Sequence, residues 1–187
     1  MVADPFLAEY SIPVQIQKPG STSQGREKMP QTGKTIVYAA GAWDMFHIGH
    51  LNILQAAKKL GDILIVGVST DELIKKYKGH FPLMSYTDRA AIVEACRYVD
   101  LVVPQEILEK DEQLERLNVD ILVVGSDWWD RKVKGHQWMI DNGKKVYYLP
   151  YTKSMSSTRL RQMLDRYYQD EIRNEEAIGT PQGGGRV

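Results

Sequence analysis

The chain has one cysteine, Cys96, so no intramolecular disulfide can staple it, and a reducing, cytoplasmic setting is expected. Its start lacks the basic-then-apolar layout of a secretory leader. No apolar run approaches the roughly 18 residues of a membrane span, so membrane insertion is not expected. Charge of one sign is also missing. The 24 basic and 24 acidic side chains cancel, which removes the electrostatic footprint of a nucleic-acid binder. Neither the glycine fingerprint of dinucleotide-binding folds nor a P-loop occurs, disfavouring a dinucleotide oxidoreductase or a P-loop kinase. At 187 residues one ordinary domain with a real core is expected.

Residues 1–34 are rich in proline and glycine and read as an extension, within which Ile12–Ile16 has the composition of an edge strand or strap. Residues 179–187 form a Gly-rich tail. Between them, over 35–178, short apolar runs alternate with amphipathic stretches. The runs Ile36–Ala40, Ile63–Val68, Leu101–Val103, Ile121–Val124 and Val146–Leu149 predict five buried strands. Helical patterns lie between them, one carrying Leu51 and Leu54, a second Ile92, Cys96 and Val99, a third Leu108, Leu114 and Leu117. Ser85-Tyr-Thr-Asp88 has the form of a capping box. The alternation predicts a single-domain α/β fold, an open parallel five-stranded sheet with helices on both faces, Rossmann-like. Ligands of such sheets bind beyond the carboxyl ends of the strands where the strand order reverses.

The most informative segment is Gly41-Ala-Trp-Asp-Met-Phe-His-Ile-Gly-His50, after the first strand and before the first helical pattern. Two imidazoles three residues apart at a helix start, with Gly49 between them, favour phosphate oxygens. A zinc site is disfavoured because neither a Cys/His cluster nor a His-Glu-x-x-His pattern accompanies them. A second cradle is Ser156-Ser157-Thr158, which opens the last helical pattern with Arg159 and Arg161 close by; a cap needs only one hydroxyl. Two cradles suit a polyphosphate. Lys76 and Lys78, in a loop ending at Gly79, and Arg89 and Arg97, flanking the second helix, add cations. Asp44 and Asp127 could hold Mg²⁺ or a substrate hydroxyl. Trp128 and Trp129 suit a core, dimer or ligand contact equally, and Cys96 a small core position.

With these motifs in order over about residues 35–172, the chain resembles the cytidylyltransferase family of the His-x-Gly-His nucleotidyltransferase superfamily. It is most similar to the glycerol-3-phosphate branch, through Asp127-Trp128, and shares Tyr77-Lys78-Gly79, Pro82 and Met84 with the ethanolamine-phosphate branch. The glycerol-phosphate branch has an arginine at Tyr151 and a glycine at Ser154. The resemblance implies catalytic roles for His47, His50, Lys78 and Arg97. It implies nucleotide contacts from Gly41, Ala42, Trp43, Gly49, Gly125, Ser156, Ser157 and Thr158, and substrate contacts from Asp44, Lys76, Arg89 and Asp127. It further implies CTP and a small phospho-alcohol as partners, Mg²⁺ dependence and a homodimer. The expected reaction joins CTP and glycerol 3-phosphate into a CDP-alcohol and pyrophosphate. Ethanolamine phosphate, adenylyl transfer from ATP, and a non-catalytic nucleotide-binding regulatory module are the alternatives.

Overall fold

The computed structural model describes residues 33–125, 133–150, 152 and 155–178. Five strands form one sheet: β1 (Ile36–Gly41), β2 (Ile63–Ser69), β3 (Leu101–Gln105), β4 (Ile121–Gly125) and β5 (Lys145–Leu149). All pairs are parallel, in the order β3-β2-β1-β4-β5. Order reverses between β1 and β4, so the crevice beyond their carboxyl ends is where the fold offers a ligand site. The five expected strands are all present; the proposed strap at Ile12–Ile16, the tail and most of the extension lie outside the described residues.

Alternation along β1 explains how both faces are covered. Val37 and Ala39 enter one core with Leu54, Ala57, Ala90 and Val93, while Ile36 and Tyr38 enter another with Leu114, Leu117 and Met139. The first core lies under α1 (Ile48–Lys58) and α3 (Tyr86–Glu94), the second under α4 (Asp111–Arg116) and α5 (His136–Asp141). The expectation that every strand is buried fails at β5, an edge strand whose Lys145 and Tyr147 are exposed.

Two local expectations need correction. Lys76 and Lys78 are not in a loop but on a helix, α2 (Asp71–Lys78). Thr70 caps it by accepting from Leu73 N at 3.2 Å, and Gly79 ends it in the left-handed region at φ 80°. The second helix starts at Tyr86 as the capping box predicts, with Ser85 Oγ accepting from Asp88 N at 3.2 Å. Its buried face is Tyr86, Arg89, Ala90 and Val93, whereas Ile92 is exposed and Cys96 and Val99 follow the helix end. A buried arginine within the inward stripe displaces the apparent apolar period.

The last helix, α6 (Ser157–Ile178), has 22 residues and leaves the body of the domain after its first turns. Among the described residues no helix is long and apolar enough to cross a membrane.

Candidate active site

The site begins where β1 ends. Beyond Gly41 the chain turns through two residues in the left-handed region, Trp43 at φ 55° and Met45 at φ 48°, which side chains other than glycine rarely adopt. Neighbouring groups hold the bend in place. Trp43 is buried and its Nε1 donates to Gly67 O at 2.9 Å. Asp44 is also buried; its carboxylate accepts from Leu83 N and Met84 N at 3.0–3.1 Å. Arg89, fully buried, donates to Ala42 O, to Ser69 O at 2.8 Å, to Met84 O at 3.0 Å and to Asp71 Oδ1 at 2.6 Å.

His47 caps α1, its Nδ1 accepting from Gly49 N at 3.0 Å. That bond assigns the proton of the neutral ring to Nε2, free to donate outward. His50, one turn on, stacks on His47 with centroids 3.9 Å apart and planes 20° apart, and packs against Trp43 and Phe46. Its Nδ1 is buried without a hydrogen-bond partner among the described residues. Burial, then the neighbouring His47 and Lys78 charges, push the His50 pKa down to about 3, against an opposing pull from Asp44. Burial also lowers that of His47. Both rings are therefore neutral near pH 7 and act as hydrogen-bond donors, not as cations.

The start of α6 closes on this bend. Ser157 Oγ donates to Asp44 O at 2.7 Å, and Arg161 reaches Asp44 Oδ2 at 3.1 Å. Asn52 Nδ2 donates to Thr152 Oγ1 at 3.2 Å. The imidazole-bearing bend and the hydroxyl triplet, distant in sequence, thus share one end of the sheet, as a common polyphosphate tail requires.

Individual residues divide as follows. Ser156 is the cap, its Oγ accepting from Arg159 N at 3.1 Å; Ser157 ties down the bend; Thr158 is exposed. Gly125 ends β4 beside the crevice, and Asp127, Trp128, Trp129, Tyr151 and Ser154 lie outside the described residues. Gly41 packs under the Trp43 ring: a Cβ there would stand 3.2 Å from it. A Cβ on Gly49 would stand 2.9 Å from His47 Cε1, so this glycine makes room for the imidazole itself.

Lys76 and Lys78 are both exposed, but Lys78 contributes to the field on His50, whereas the charge of Lys76 is felt at Glu109. Two positions apart on α2, they point different ways, which the loop reading had missed.

Four expectations are corrected. Trp43 does not offer its indole to a nucleotide, because the ring is core. The Arg89 guanidinium is committed to three carbonyls and Asp71, so it shapes the site without touching substrate. Asp44 has both oxygens taken by backbone N–H groups and Arg161, which does not fit a magnesium ligand or a substrate hydroxyl partner. Among the described residues no group of three His, Cys, Asp or Glu side chains could hold a metal. Arg97 follows the C-terminal end of α3 and precedes β3, at the amino edge of the sheet; the histidines stand at the carboxyl edge. Sequence reasoning missed Asn52, whose partner Thr152 lies in another segment.

A profile of the cytidylyltransferase-like family matches residues 38–163, from within β1 into α6. The chain belongs to that family. It is a nucleotidyltransferase. Glycerol-3-phosphate cytidylyltransferase of Staphylococcus aureus is 36% identical over 131 residues, covering 68% of this chain and 93% of the relative. The Bacillus subtilis enzyme of that name is 37% identical, with 69% and 95% covered. Bifunctional protein HldE of Campylobacter fetus is 35% identical over 71% of this chain, which spans only 28% of that relative. Among solved structures, a lipopolysaccharide core biosynthesis protein of Thermoplasma volcanium aligns with TM-score 0.53 at 25% identity, over 66% of this chain and all of that one.

Proposed function

We propose that the protein transfers a cytidylyl group from CTP to a small phosphorylated alcohol, with glycerol 3-phosphate as the favoured acceptor. The carrying observation is the stacked neutral pair His47–His50 at a helix start, met by the Ser157 end of α6. Likeness to glycerol-3-phosphate cytidylyltransferases over more than nine-tenths of their length supports the acceptor.

The acceptor's phosphate oxygen forms a bond to the α-phosphorus of CTP as the bond from that phosphorus to the bridging oxygen breaks; pyrophosphate leaves with the electron pair. The attacking group is already an anion, so no general base is needed, and catalysis is positioning and charge stabilisation. Neutral imidazoles suit the task, because their N–H groups donate to oxygens that gain charge, at the positive end of α1. Lys78 adds a cation to the same region.

The test is pyrophosphate release from CTP and from ATP with glycerol 3-phosphate and ethanolamine phosphate. Release with CTP and glycerol 3-phosphate supports the reading; no release with CTP and any acceptor overturns it. His47→Ala is expected to lower kcat by about 10²–10³ with CTP binding retained.

A further inference from the structure

One side of α6 is apolar, and beyond its first turns none of the described residues covers it. Met163, Leu164, Tyr167, Tyr168 and Ile172 are 45–63% exposed. This stripe continues an apolar groove of about 490 Å³ lined by Met45, Phe46, Met84, Ile92, Leu160 and Leu164. A contiguous apolar surface of this kind marks an interaction site. Beyond Met163 the stripe lies outside the family match, which runs from residue 38 to 163. Residues 1–32 lie outside it at the other end, so the chain adds two segments to the family core.

Charge, apolar content and reach identify the occupant. Residues 1–16 hold Phe6, Leu7, Tyr10, Ile12, Val14 and Ile16 with two acidic side chains, Asp4 and Glu9, and neither lysine nor arginine. Residues 157–168 of α6 have the opposite balance, Arg159, Arg161 and Arg166 against Asp165. The two surfaces are therefore complementary in charge as well as both apolar. Residues 17–32 differ in character: Lys18, Arg26 and Lys28 stand among Pro19, Gly20, Gly25 and Pro30, the composition of a connection. That connection joins the amino end of β1, whereas the groove lies beside the bend at the carboxyl end, about 20 Å away along six residues. Extended, residues 17–32 reach about 50 Å, which is ample. A connection this short holds the segment at an effective concentration of about millimolar, favouring the chain's own groove over that of another molecule. Pro13 has no N–H to give, which disfavours adding Ile12–Ile16 to the sheet at β3 or β5 and favours docking by side chains.

We propose that residues 4–16 fold back within the same molecule and dock on the apolar side of α6 and the groove beside Phe46, with Asp4 and Glu9 toward the arginines of the helix's first half. The two segments added to the family core thus cover each other. Glycerol-3-phosphate cytidylyltransferases matched over 93–95% of their own length leave less than a tenth of it for counterparts of either. Phe46 also packs on His50, so the docked segment braces one wall of the bend. The inference stands apart from the transfer reaction, and its test does not involve turnover.

The experiment is hydrogen–deuterium exchange of the full chain, read by mass spectrometry at low and at high protein concentration. Amides of residues 163–172 are expected to be protected equally at both concentrations. Phe6→Glu combined with Leu7→Glu and Ile12→Glu is expected to speed their exchange at least tenfold while the amides of β1 to β4 keep their rates, which separates undocking from misfolding. Asp4→Lys with Glu9→Lys is expected to speed it at least threefold, and adding Arg166→Glu to regain part of that loss. Exchange on α6 indifferent to the apolar substitutions, a rise spread equally over the strands, or protection that grows with concentration and so comes from a second copy would each overturn the proposal.

Discussion

Ser157 donates its hydroxyl to the backbone carbonyl of Asp44 at 2.7 Å, across 113 residues of sequence. The bond joins the first turn of the last helix to the bend after the first strand, and Arg161 repeats the connection at the Asp44 side chain. Ser156, its neighbour, serves only its own helix as the cap. Two adjacent serines thus have separable tasks.

Ser157→Ala is expected to cost about 1 kcal/mol of stability for a lost hydrogen bond. It also frees the bend from α6, so kcat/KM for CTP should fall at least about tenfold further than in Ser156→Ala. Ser156→Ala should lose a similar stability through its cap, which makes the pair a control for folding. Urea melts and steady-state kinetics on both variants check this. Equal kinetic losses would show that the Ser157 contact has no special role in positioning the bend.

Gly49→Ala tests whether the glycine serves the imidazole. The added methyl would stand 2.9 Å from Cε1 and 3.0 Å from Nδ1 of His47, so the ring must leave its stack on His50. Displacement of a reacting group by about 1 Å can cost about 10²-fold in rate. A fall of that order in kcat is expected with the circular dichroism spectrum unchanged; normal turnover would show that the stacked arrangement is not needed.

Arg89→Met tests the assignment of Arg89 to shaping the bend. Methionine fills similar space but leaves Asp71 and the carbonyls of Ala42 and Ser69 without their donor. Asp71 is partly exposed and keeps its bond from Tyr86 N, so the loss comes mainly from the unpaired carbonyls and is expected at about 1–3 kcal/mol, to be read from denaturant midpoints. A loss below about 1 kcal/mol, with CTP binding reduced, would return Arg89 to a substrate-contacting role.

Strands and the ligand edge of the sheet were legible because they rest on local pattern: β-branched runs have a fixed period, and parallel order follows from alternation with helices. The imidazole-bearing bend and the hydroxyl run that meets it at one end of the sheet were legible too as segments, since each is contiguous in sequence. Committed side chains were not. Nothing near Arg89 in sequence announces that Ala42, Ser69 and Asp71 surround it, and an arginine reads as surface until its partners are known. Asp44 misled for the same reason, its ligands being backbone N–H groups from residues 83 and 84. Arg97 shows the converse error: the family resemblance implied a catalytic role beside the histidines, and the length of α3 carries it to the opposite edge.

The neutral state of His50 carries a pH signature with a definite sign. The unfolded ring titrates near the ordinary value of about 6.5, while burial holds the folded ring down to about 3. As pH falls below 6.5 the unfolded chain binds a proton that the folded one refuses, so stability falls; above 6.5 the two states bind equally and the contribution is flat. Between pH 7 and pH 5 this amounts to at most about 2 kcal/mol, before most carboxylates titrate. His50→Gln removes the term and leaves His47 in both proteins. The stability difference between wild type and variant, from urea melts at each pH, is therefore expected to shrink or reverse by up to that amount on acidification. A difference that stays constant from pH 7 to 5 would mean that the folded ring takes up a proton normally, and the neutral-donor mechanism would fail with it.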